Sequence, residues 1–239
     1  MTKKIEALKI KIFSDGADKQ SMLQMYQKPF IKGLTTNPTL MNKAGIRDYE
    51  EFCKDILKTI TDKPISFEVF SDDFHEMEDQ AMKISSWGKN IYVKIPITNT
   101  KGASSYHLIN KLSQNNVKLN ITALMTNRQV EETVDNLNPS VASYISIFAG
   151  RIADTGRDPI PIMIKAINSM QKNKFSELIW ASPRELLNIY QANEIGCHII
   201  TVTQDILKKL NMVGYDLEKY SLDTVKMFYS DALIAGYKI

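Results

Sequence analysis

The chain has 239 residues, of which 44% are hydrophobic and 24% are charged, which is an ordinary composition for a soluble globular protein. This length suits one α/β barrel, so we predict a single domain over residues 1–239. The formal net charge is only +3, and basic and acidic residues are intermixed, so a clustered basic face for nucleic acid is not expected.

The cysteines and the chain start exclude further classes of protein. Cys53 and Cys197 lie far apart, and the histidines form no metal-type spacing with them, so no metal site is predicted. Residues 1–11 contain no apolar core of signal-peptide length, and no apolar run in the chain is long enough to span a bilayer. We therefore expect a reduced, cytoplasmic protein without membrane contacts.

Eight short runs rich in Ile, Val, Phe, Tyr or Thr alternate with longer segments of helical periodicity. The predicted strands are residues 9–14, 33–36, 66–69, 91–95, 119–123, 144–148, 178–182 and 199–203. This alternation predicts a closed (β/α)₈ TIM barrel. An open doubly wound sheet is the alternative, but the first strand is not followed by a glycine-rich phosphate turn.

The segments between the strands carry helix signals. The predicted helices are residues 48–60, 72–87, 128–137, 159–170 and 183–191. Thr126, with Gln129 three residues later, fits an N-cap for the third helix, and Pro159 and Pro183 fit the first turns of the last two. Residues 216–237 predict an additional C-terminal amphipathic helix, which could close the barrel, cover the site or pack on a neighbouring subunit.

In the predicted strands, polar residues occur at every second position. Because strand side chains alternate between two faces, these polar residues share one face of the barrel wall. The residues predicted to face the barrel interior are Asp15, Thr35, Asn37, Ser66, Glu68, Tyr92, Lys94, Asn120, Thr122, Ser146, Phe148, Trp180 and Ser182. The opposite parity, including Val93, Ile95, Ile121, Ala123, Ile145, Ile147, Ile179 and Ala181, is assigned to the outer face. Since a purely structural barrel fills its interior with aliphatic residues, this lining predicts an active site. A hydrogen-bonded polar core is the alternative.

Lys94 is the most informative of these residues. In mid-strand between Val93 and Ile95 it cannot easily extend to water, and lysines are rarely buried without a partner. Enclosure disfavours the charged form, so this lysine can act as a neutral amine that attacks a carbonyl. The alternative is a buried ion pair with Glu68 or Asp15.

Four segments resemble the signature motifs of the transaldolase family, in the same order and with compatible spacing. They are Lys32-Gly-Leu-Thr-Thr-Asn-Pro-Thr39, Tyr92-Val-Lys-Ile-Pro96, Ser146-Ile-Phe-Ala-Gly-Arg-Ile152 and Ala181-Ser-Pro-Arg184. The resemblance extends across nearly the whole chain, and the length is similar to that of the short transaldolases and fructose-6-phosphate aldolases. It implies an enzyme that uses neither a metal nor an organic cofactor.

The resemblance also implies catalytic roles for matching residues. Lys94 would form a Schiff base with the donor ketose, and Asp15 would take and return the proton of the C4 hydroxyl. Glu68 and Thr122 would hold a water molecule that moves protons during imine formation and hydrolysis.

The implied substrate-binding residues surround the catalytic ones. They are Thr35, Asn37, Asn120, Ser146 and Phe148 around the three-carbon fragment, and Arg151, Ser182 and Arg184 around the phosphate. Arg184 would lie at the start of the predicted helix 183–191, where phosphate binding is favourable. Two alternatives remain here, because Arg151 could pair with Asp154 and Pro183 could shift the phosphate loop.

The activity that the resemblance implies is transaldolase, a transferase of the pentose phosphate pathway. It would move a dihydroxyacetone unit from sedoheptulose 7-phosphate or fructose 6-phosphate to an aldose phosphate. Phe148 and Glu68 favour this activity, because the aldolase branch carries Tyr and Gln at the matching places. The alternatives are an aldolase similar to fructose-6-phosphate aldolase, a transaldolase of secondary sugar metabolism, and a non-catalytic sugar-phosphate-binding protein. Small sugar phosphates are the expected partners, and a homo-oligomer is expected.

Overall fold

The computed structural model describes residue 5 and residues 7–239, and it forms a closed barrel of eight parallel strands. The strands are β1 Lys11–Asp15, β2 Ile31–Thr35, β3 Ile65–Glu68, β4 Ile91–Pro96, β5 Leu119–Leu124, β6 Ser143–Ile147, β7 Ser176–Trp180 and β8 Ile199–Thr203. The predicted TIM barrel is confirmed, and the alternative of an open sheet is wrong. The expectation that residues 1–11 form no signal peptide falls partly on residues outside this description.

Helices surround the barrel and connect its strands. They are α1 Lys19–Tyr26, α2 Pro38–Lys43, α3 Tyr49–Leu57, α4 Phe74–Ser85, α5 Tyr106–Gln114, α6 Asn127–Asn136, α7 Ala149–Asp154, α8 Ile160–Met170, α9 Leu187–Glu194, α10 Gln204–Leu207 and α11 Leu217–Ala235, with a 3₁₀ helix at Lys208–Met212. Thr126 and Gln129 form a reciprocal capping box at the start of α6, as predicted.

The predicted start of α9 is wrong. This helix begins at Leu187, four residues after Pro183. The intervening residues form a turn because the side-chain Oδ1 of Asn188 accepts hydrogen bonds from the backbone N–H groups of Arg184 and Glu185, at 2.8 and 3.1 Å. Arg184 therefore lies before the helix rather than in its first turn.

The main apolar core lies between the barrel wall and the helices. Val93, Ile95, Ile121 and Ile145 are fully buried in it, as their strand parity predicts. Removal of apolar surface from water contributes roughly 25 cal/mol per Å², so this layer is the principal source of stability. It also fixes which side chains of the same strands must point inward.

A smaller apolar cluster fills part of the barrel interior. Its members are Phe13, Tyr144, Ile179, Ala181 and Ile199, with Tyr92 stacked on Tyr144 at a centroid distance of 3.9 Å. Gly33 makes room for this cluster, since a Cβ atom there would lie 2.5 Å from the ring of Phe13. Asp15 and Thr35 follow Phe13 and Gly33 by two residues along their strands. The polar groups therefore lie beyond the apolar cluster, toward the carboxyl ends of the strands.

The predicted facing of β7 is wrong. Ile179 and Ala181 belong to the inner cluster, whereas Trp180 packs in the outer core. Ser182 has a φ of 59°, so the strand alternation does not continue to it. The prediction took Ser182 as inward-facing and alternated backward along β7, so it assigned Trp180, Ile179 and Ala181 to the wrong faces.

The outward facing predicted for Ala123 is correct only in part. Ala123 has a φ of 65°, and the pairing of β5 with β6 changes register between Ile121 and Leu124. The irregularity places Leu124 in the outer core, and Ala123 both packs against that core and lines an interior cavity.

The predicted C-terminal helix is confirmed as α11. Asp216 caps its start, and Gly236, with a φ of 68°, ends it in the left-handed conformation that glycine adopts readily. No residue of α11 is buried against the described part of the chain, and Phe228 and Leu233 are more than 60% exposed. Over the described residues, none of the helices combines the length and apolar character needed to span a membrane.

Candidate active site

A cavity of about 530 Å³ opens at the carboxyl ends of the strands. Every site residue predicted from the sequence lines it: Asp15, Thr35, Asn37, Glu68, Lys94, Asn120, Thr122, Ser146, Phe148, Arg151, Ser182 and Arg184. These residues come from seven strands, from the loops that follow them and, for Arg151, from helix α7, so barrel closure brings together groups that are far apart in sequence. A cavity at this end of a barrel is the usual position of an active site in this fold.

Lys94 lies at the floor of the cavity between two acceptors. Its Nζ lies 2.9 Å from the Oε2 of Glu68 and donates a hydrogen bond to the backbone carbonyl of Thr36, also at 2.9 Å. The side chains of Lys94 and Glu68 are 8% and 16% exposed. The β3–β4 register pairs these two residues directly, which places amine and carboxylate on one face. The lysine is thus both enclosed and paired.

Asp15 lies in the same cavity at the end of β1. Its Oδ1 accepts a hydrogen bond of 2.7 Å from the hydroxyl of Thr35. Burial raises the pKa of the Asp15 carboxyl, and the charge of Glu68 adds to this rise. Lys94 and the Thr35 hydroxyl lower the pKa but do not cancel the effect of burial. A carboxyl group with a raised pKa is suited to exchange protons near neutral pH.

Asn120 is held rigidly by two hydroxyl groups. Its Nδ2 donates to the Oγ of Ser66 at 3.0 Å, and its Oδ1 accepts from the Oγ of Ser146 at 2.7 Å. Both ends of the amide are thus hydrogen-bonded to hydroxyl groups. All three residues are buried, so the network is shielded from competing water.

Asn37 is the N-cap of α2. Its backbone is extended, and its Oδ1 accepts a 2.9 Å hydrogen bond from the backbone N–H of Leu40. Pro38, at the first helical position, has no N–H that would need a partner. Because capping uses the oxygen of the amide, its Nδ2 is the end that can donate to a molecule in the cavity.

Thr122 has an unused hydrogen-bonding group. Its Oγ1 is buried and has no hydrogen-bond partner among the described residues. A buried hydroxyl without a partner costs about 1–3 kcal/mol, so such groups usually contact water or a ligand. Thr122 and Lys94 both line the cavity, which places this hydroxyl in the same space as the amine.

Two exposed arginines also line the cavity. The guanidinium of Arg151 lies 5.6 Å from the centroid of the Phe148 ring. Arg184 is the residue that pairs with Asp154: its Nε donates to Oδ1 at 2.8 Å, and its Nη2 donates to Oδ2. No ion pair between Arg151 and Asp154 is found among the described residues, so the alternative pairing of these two is wrong. The ion pair with Arg184 lowers the pKa of Asp154, and the charge of Arg151 also lowers it.

The loop with Ser182 approaches α7 very closely. An ideal Cβ atom on Gly150 would lie 1.6 Å from the carbonyl oxygen of Ser182, so only glycine fits at this position. The left-handed backbone of Ser182 turns the chain at the end of β7, and both Ser182 and Pro183 line the cavity. Pro183 is accommodated without closing the site.

The sequence interpretation missed one strand of the site. Thr201 and Thr203, both on β8, line the cavity, and the Oγ1 of Thr201 is hydrogen-bonded to the Oγ1 of Thr35. Their alternation with the apolar Ile200 and Val202 is a signal that could have identified them. Lys43 on α2 also lines the cavity, but its helix gives no comparable signal.

The described residues contain no group of three or more His, Cys, Asp or Glu side chains that could hold a metal ion. Cys53 and Cys197 are buried free thiols, and burial raises the pKa of the Cys197 thiol to about 12. Thiolate chemistry is disfavoured at such a group. The polar chemistry of the cavity thus rests on its amine, carboxylates, hydroxyls, amides and guanidiniums.

Comparison with known proteins gives consistent matches. The family model described as Transaldolase/Fructose-6-phosphate aldolase matches residues 12–235. A protein of Thermoanaerobacter sp. (strain X514) named "Probable transaldolase" is 33% identical over 96% of this chain and 100% of its own length. A protein of the same name from Thermoplasma volcanium is 35% identical over 84% of this chain and 87% of its own.

Solved structures show the same architecture at low identity. The tryptophan synthase subunit alpha from Campylobacter jejuni superposes with a TM-score of 0.55 at 15% identity. The match covers 85% of this chain and 90% of that protein. At this identity the likeness concerns the fold alone.

Proposed function

Since the chain belongs to the transaldolase/fructose-6-phosphate aldolase family, we propose that it is a transaldolase that works through a Schiff base on Lys94. The proposed reaction moves a dihydroxyacetone unit from sedoheptulose 7-phosphate or fructose 6-phosphate to an aldose phosphate, as in the pentose phosphate pathway. The observation that carries this proposal is the enclosed pair of Lys94 and Glu68, in one cavity with Asp15.

The first step requires an uncharged amine. Lys94 transfers a proton to Glu68, whose Oε2 is already 2.9 Å away, and the freed Nζ attacks the C2 carbonyl carbon of the ketose. Loss of the C2 oxygen as water then gives a protonated imine. Glu68 and the unpaired hydroxyl of Thr122 are suited to hold the water that carries these protons.

Cleavage of the C3–C4 bond follows. Asp15 takes the proton of the C4 hydroxyl, and the electrons of the C3–C4 bond move into the imine to form an enamine, releasing an aldose phosphate. Addition of the enamine to the acceptor aldehyde reverses these events, with Asp15 returning its proton to the new hydroxyl. Hydrolysis of the imine releases the product and restores Lys94.

The three-carbon fragment needs fixed polar partners while it is attached to Lys94. The network of Asn120, Ser66 and Ser146 provides oriented groups that do not need to reorganise during the reaction. The free Nδ2 end of Asn37 is suited to donate to a fragment hydroxyl, and Thr35 lies beside Asp15. We assign the recognition of dihydroxyacetone to these side chains.

The phosphate end is assigned to Ser182, Arg184 and Arg151. Asp154 holds the guanidinium of Arg184 in one orientation, which reduces the entropy that this side chain loses on binding. Arg151 brings a second positive charge from α7. The N-terminus of α9 is not part of the assigned site, because the helix begins only at Leu187, and the backbone N–H groups of Asn188 and Ile189 donate to the carbonyls of Glu185 and Leu186.

Transfer is proposed rather than simple cleavage because of Phe148 and Glu68. A phenol at position 148 could position water or a proton for release of free dihydroxyacetone, and phenylalanine has no such group. Without a phenol at position 148, the enamine is more often captured by an acceptor aldehyde than lost. Glu68 supports transfer through the family resemblance, because the aldolase branch carries Gln at the matching place.

Imine trapping tests the proposal. Borohydride treatment of the protein with fructose 6-phosphate should produce a stable adduct on the peptide that contains Lys94, measured by mass spectrometry. Lys94→Met should abolish the adduct, whereas Lys111→Met, which changes an exposed lysine paired with Glu78, should not. No adduct on the wild-type protein, or an undiminished one in Lys94→Met, would reject the assignment.

A product assay separates transferase from aldolase. With fructose 6-phosphate as donor, transfer to erythrose 4-phosphate should exceed release of free dihydroxyacetone. Predominant release would identify an aldolase instead. A transaldolase of secondary sugar metabolism would prefer other donors or acceptors in the same assay.

The proposed working form is a cytoplasmic homo-oligomer of single-domain chains. Phosphorylated sugars are anions that membranes retain, which supports the cytoplasm as the compartment. The exposed apolar side chains of α11 support assembly with further copies of the chain. Sedimentation should give an oligomer for the wild type and a smaller species for a Phe228→Glu, Leu233→Glu double variant, and a monomeric wild type would contradict the assembly.

A further inference from the structure

Three side chains from neighbouring strands form a short hydrogen-bonded chain that ends at Asp15. Thr35 on β2 is bonded to the Oδ1 of Asp15 at 2.7 Å, and its hydroxyl oxygen is also hydrogen-bonded to that of Thr201. β1 pairs with β2 on one side and with β8 on the other, so Thr35 and Thr201 reach each other from the two strands that flank Asp15. Both threonines are buried.

The direction of this chain follows from counting protons. An ionised carboxylate can only accept hydrogen bonds, so Thr35 must use its single hydroxyl proton on Asp15. The contact between the two hydroxyl groups then requires Thr201 to be the donor to Thr35. While Asp15 is ionised, the donors are therefore ordered from Thr201 to Thr35 to Asp15.

We propose that Thr201 is a positioning residue for Asp15, acting through the hydroxyl of Thr35. This inference rests on the proposed function, in which Asp15 is the base of the cleavage step. Thr201 does two things in this arrangement. It holds the Thr35 hydroxyl in the orientation that occupies the Oδ1 of Asp15, and it polarises that hydroxyl so that it stabilises the carboxylate more strongly.

The occupied oxygen determines where the substrate proton goes. Among the described residues, Thr35 is the one whose side chain is hydrogen-bonded to the Asp15 carboxylate, and it uses Oδ1. The Oδ2 atom is left for the C4 hydroxyl of the donor. Without the Thr201 donor, the Thr35 hydroxyl could rotate away from Oδ1, and Oδ2 would no longer be the only carboxylate oxygen open to the substrate.

The charged groups around Asp15 also change its pKa, some in the opposite direction to the two threonine hydroxyls and some in the same direction. Glu68, on β3, raises the pKa of Asp15, while Lys94, on β4, lowers it. Arg151, Arg184 and Lys43 line the same cavity farther around its wall. From the two strands paired with β1, the groups aligned with Asp15 are the uncharged Thr35 and Thr203. Hydroxyl donors are thus the means by which these two strands influence the carboxylate.

The simpler interpretation is that Thr201 only provides a hydrogen-bond partner for the buried hydroxyl of Thr35. Under that interpretation, its loss would lower stability without changing the titration of Asp15. The two interpretations predict different pH profiles of kcat/KM for a variant that lacks the Thr201 hydroxyl. Without the Thr201 donor, the Asp15 carboxylate is less stabilised, so its pKa should rise and the acidic limb of kcat/KM should move to higher pH.

The test compares Thr201→Val, Thr201→Ser and the wild type. Thr201→Val keeps the shape of the side chain but removes the donor, and it should shift the acidic limb upward by about half a pH unit or more. Thr201→Ser restores the donor and should return the limb to the wild-type position. Thr133→Val is the matched control, because this buried hydroxyl donates to the backbone of Gln129, within α6. It should leave the profile unchanged.

A second measurement does not depend on activity. In protein labelled with ¹³C at the aspartate carboxyl carbons, the Asp15 signal is identified by its absence in Asp15→Asn. This signal should titrate at higher pH in Thr201→Val than in the wild type, and Thr201→Ala provides the same comparison if the valine variant does not fold. Unchanged titration in folded variants would overturn the role of Thr201, whereas a missing imine adduct in the wild type would overturn the proposed function instead.

Discussion

Lys94 and Glu68 form an ion pair inside the barrel, with the Nζ 2.9 Å from Oε2 and both side chains largely removed from water. The pair explains how a lysine remains at this position, because an unpaired buried charge would be strongly destabilising. It also prepares the reaction, since the acceptor for the proton that Lys94 must lose is already in contact. A structural ion pair and a reactive amine are therefore two states of one arrangement.

Glu68→Gln should separate these two states. The amide keeps the shape of the side chain but cannot take a proton, so we expect kcat for transfer to fall by about 10²- to 10⁴-fold with a small change in KM. Rapid-quench borohydride trapping should show slow imine formation as the cause. Glu177→Gln, which changes a half-buried partner of Lys11 outside the cavity, is the control and should retain full activity. Normal trapping kinetics in Glu68→Gln would contradict the role of Glu68.

Asp15→Asn should stop the reaction after the imine has formed. The amide cannot accept the proton of the C4 hydroxyl, so kcat should fall by at least about 10²-fold, while the borohydride adduct of fructose 6-phosphate still accumulates on Lys94. An adduct that disappears together with activity would place Asp15 in the imine step instead.

The same variant should be more stable than the wild type at neutral pH. Because burial raises the pKa of Asp15 in the folded state, the folded protein favours the protonated carboxyl, and stability is lost as the pH rises from the unfolded pKa through the folded one. Asparagine removes this loss, so the Tm at neutral pH should be higher than that of the wild type. The difference should narrow as the pH falls toward 3.8, the ordinary aspartate value. Calorimetry at several pH values tests this, and a lower Tm at neutral pH would oppose it.

Arg184→Ala should affect phosphorylated donors selectively. Hydrogen bonds to a charged group contribute about 1.5–3 kcal/mol, so the KM for fructose 6-phosphate should rise about 10- to 100-fold. The KM for dihydroxyacetone as donor should change much less. Arg157→Ala is a matched control, because Arg157 contacts Thr155 and does not line the cavity. Equal effects of Arg184→Ala on both donors would exclude a phosphate role for Arg184.

Gly150→Ala should disturb the loop that carries Ser182 and therefore the part of the cavity assigned to the phosphate. A Cβ atom at 1.6 Å from the carbonyl oxygen of Ser182 forces either the loop or α7 to move, which we expect to cost about 1–3 kcal/mol of stability. In Gly88→Ala the nearest atoms to the new Cβ would be side-chain atoms of Asn90 and Ile91, at 3.1 Å or more, so this change should cost less. Urea denaturation compares the two variants, and equal midpoints would mean that the close approach is unimportant.

Much of the fold could be predicted because the strand period is local. Val93 and Lys94 must point to opposite faces of β4 whatever surrounds them, and the burial of Val93 in the outer core then directs Lys94 inward. The same reasoning holds at Phe67 and Glu68. It failed at β7, where the left-handed backbone of Ser182 interrupts the alternation that the prediction assumed.

The partners of the site residues could not be predicted in the same way. Arg151 is only three residues from Asp154, yet Asp154 binds Arg184, thirty residues later in the chain. Thr35 and Thr201 are separated by 166 positions and meet only because β8 closes the barrel against β1. Such contacts depend on where the loops and strands lie in space.

The amino-acid sequence by itself determined the number and order of the strands, the inward direction of the lysine and carboxylates, and the family motifs. These features depend on periodicity and on residue type along a short stretch of chain. Only the tertiary structure decided which carboxylate holds which guanidinium and how the β8 hydroxyl reaches the base. Closure of the barrel sets those distances, and hydrogen bonds and ion pairs form between whichever groups it brings within about 3 Å of each other.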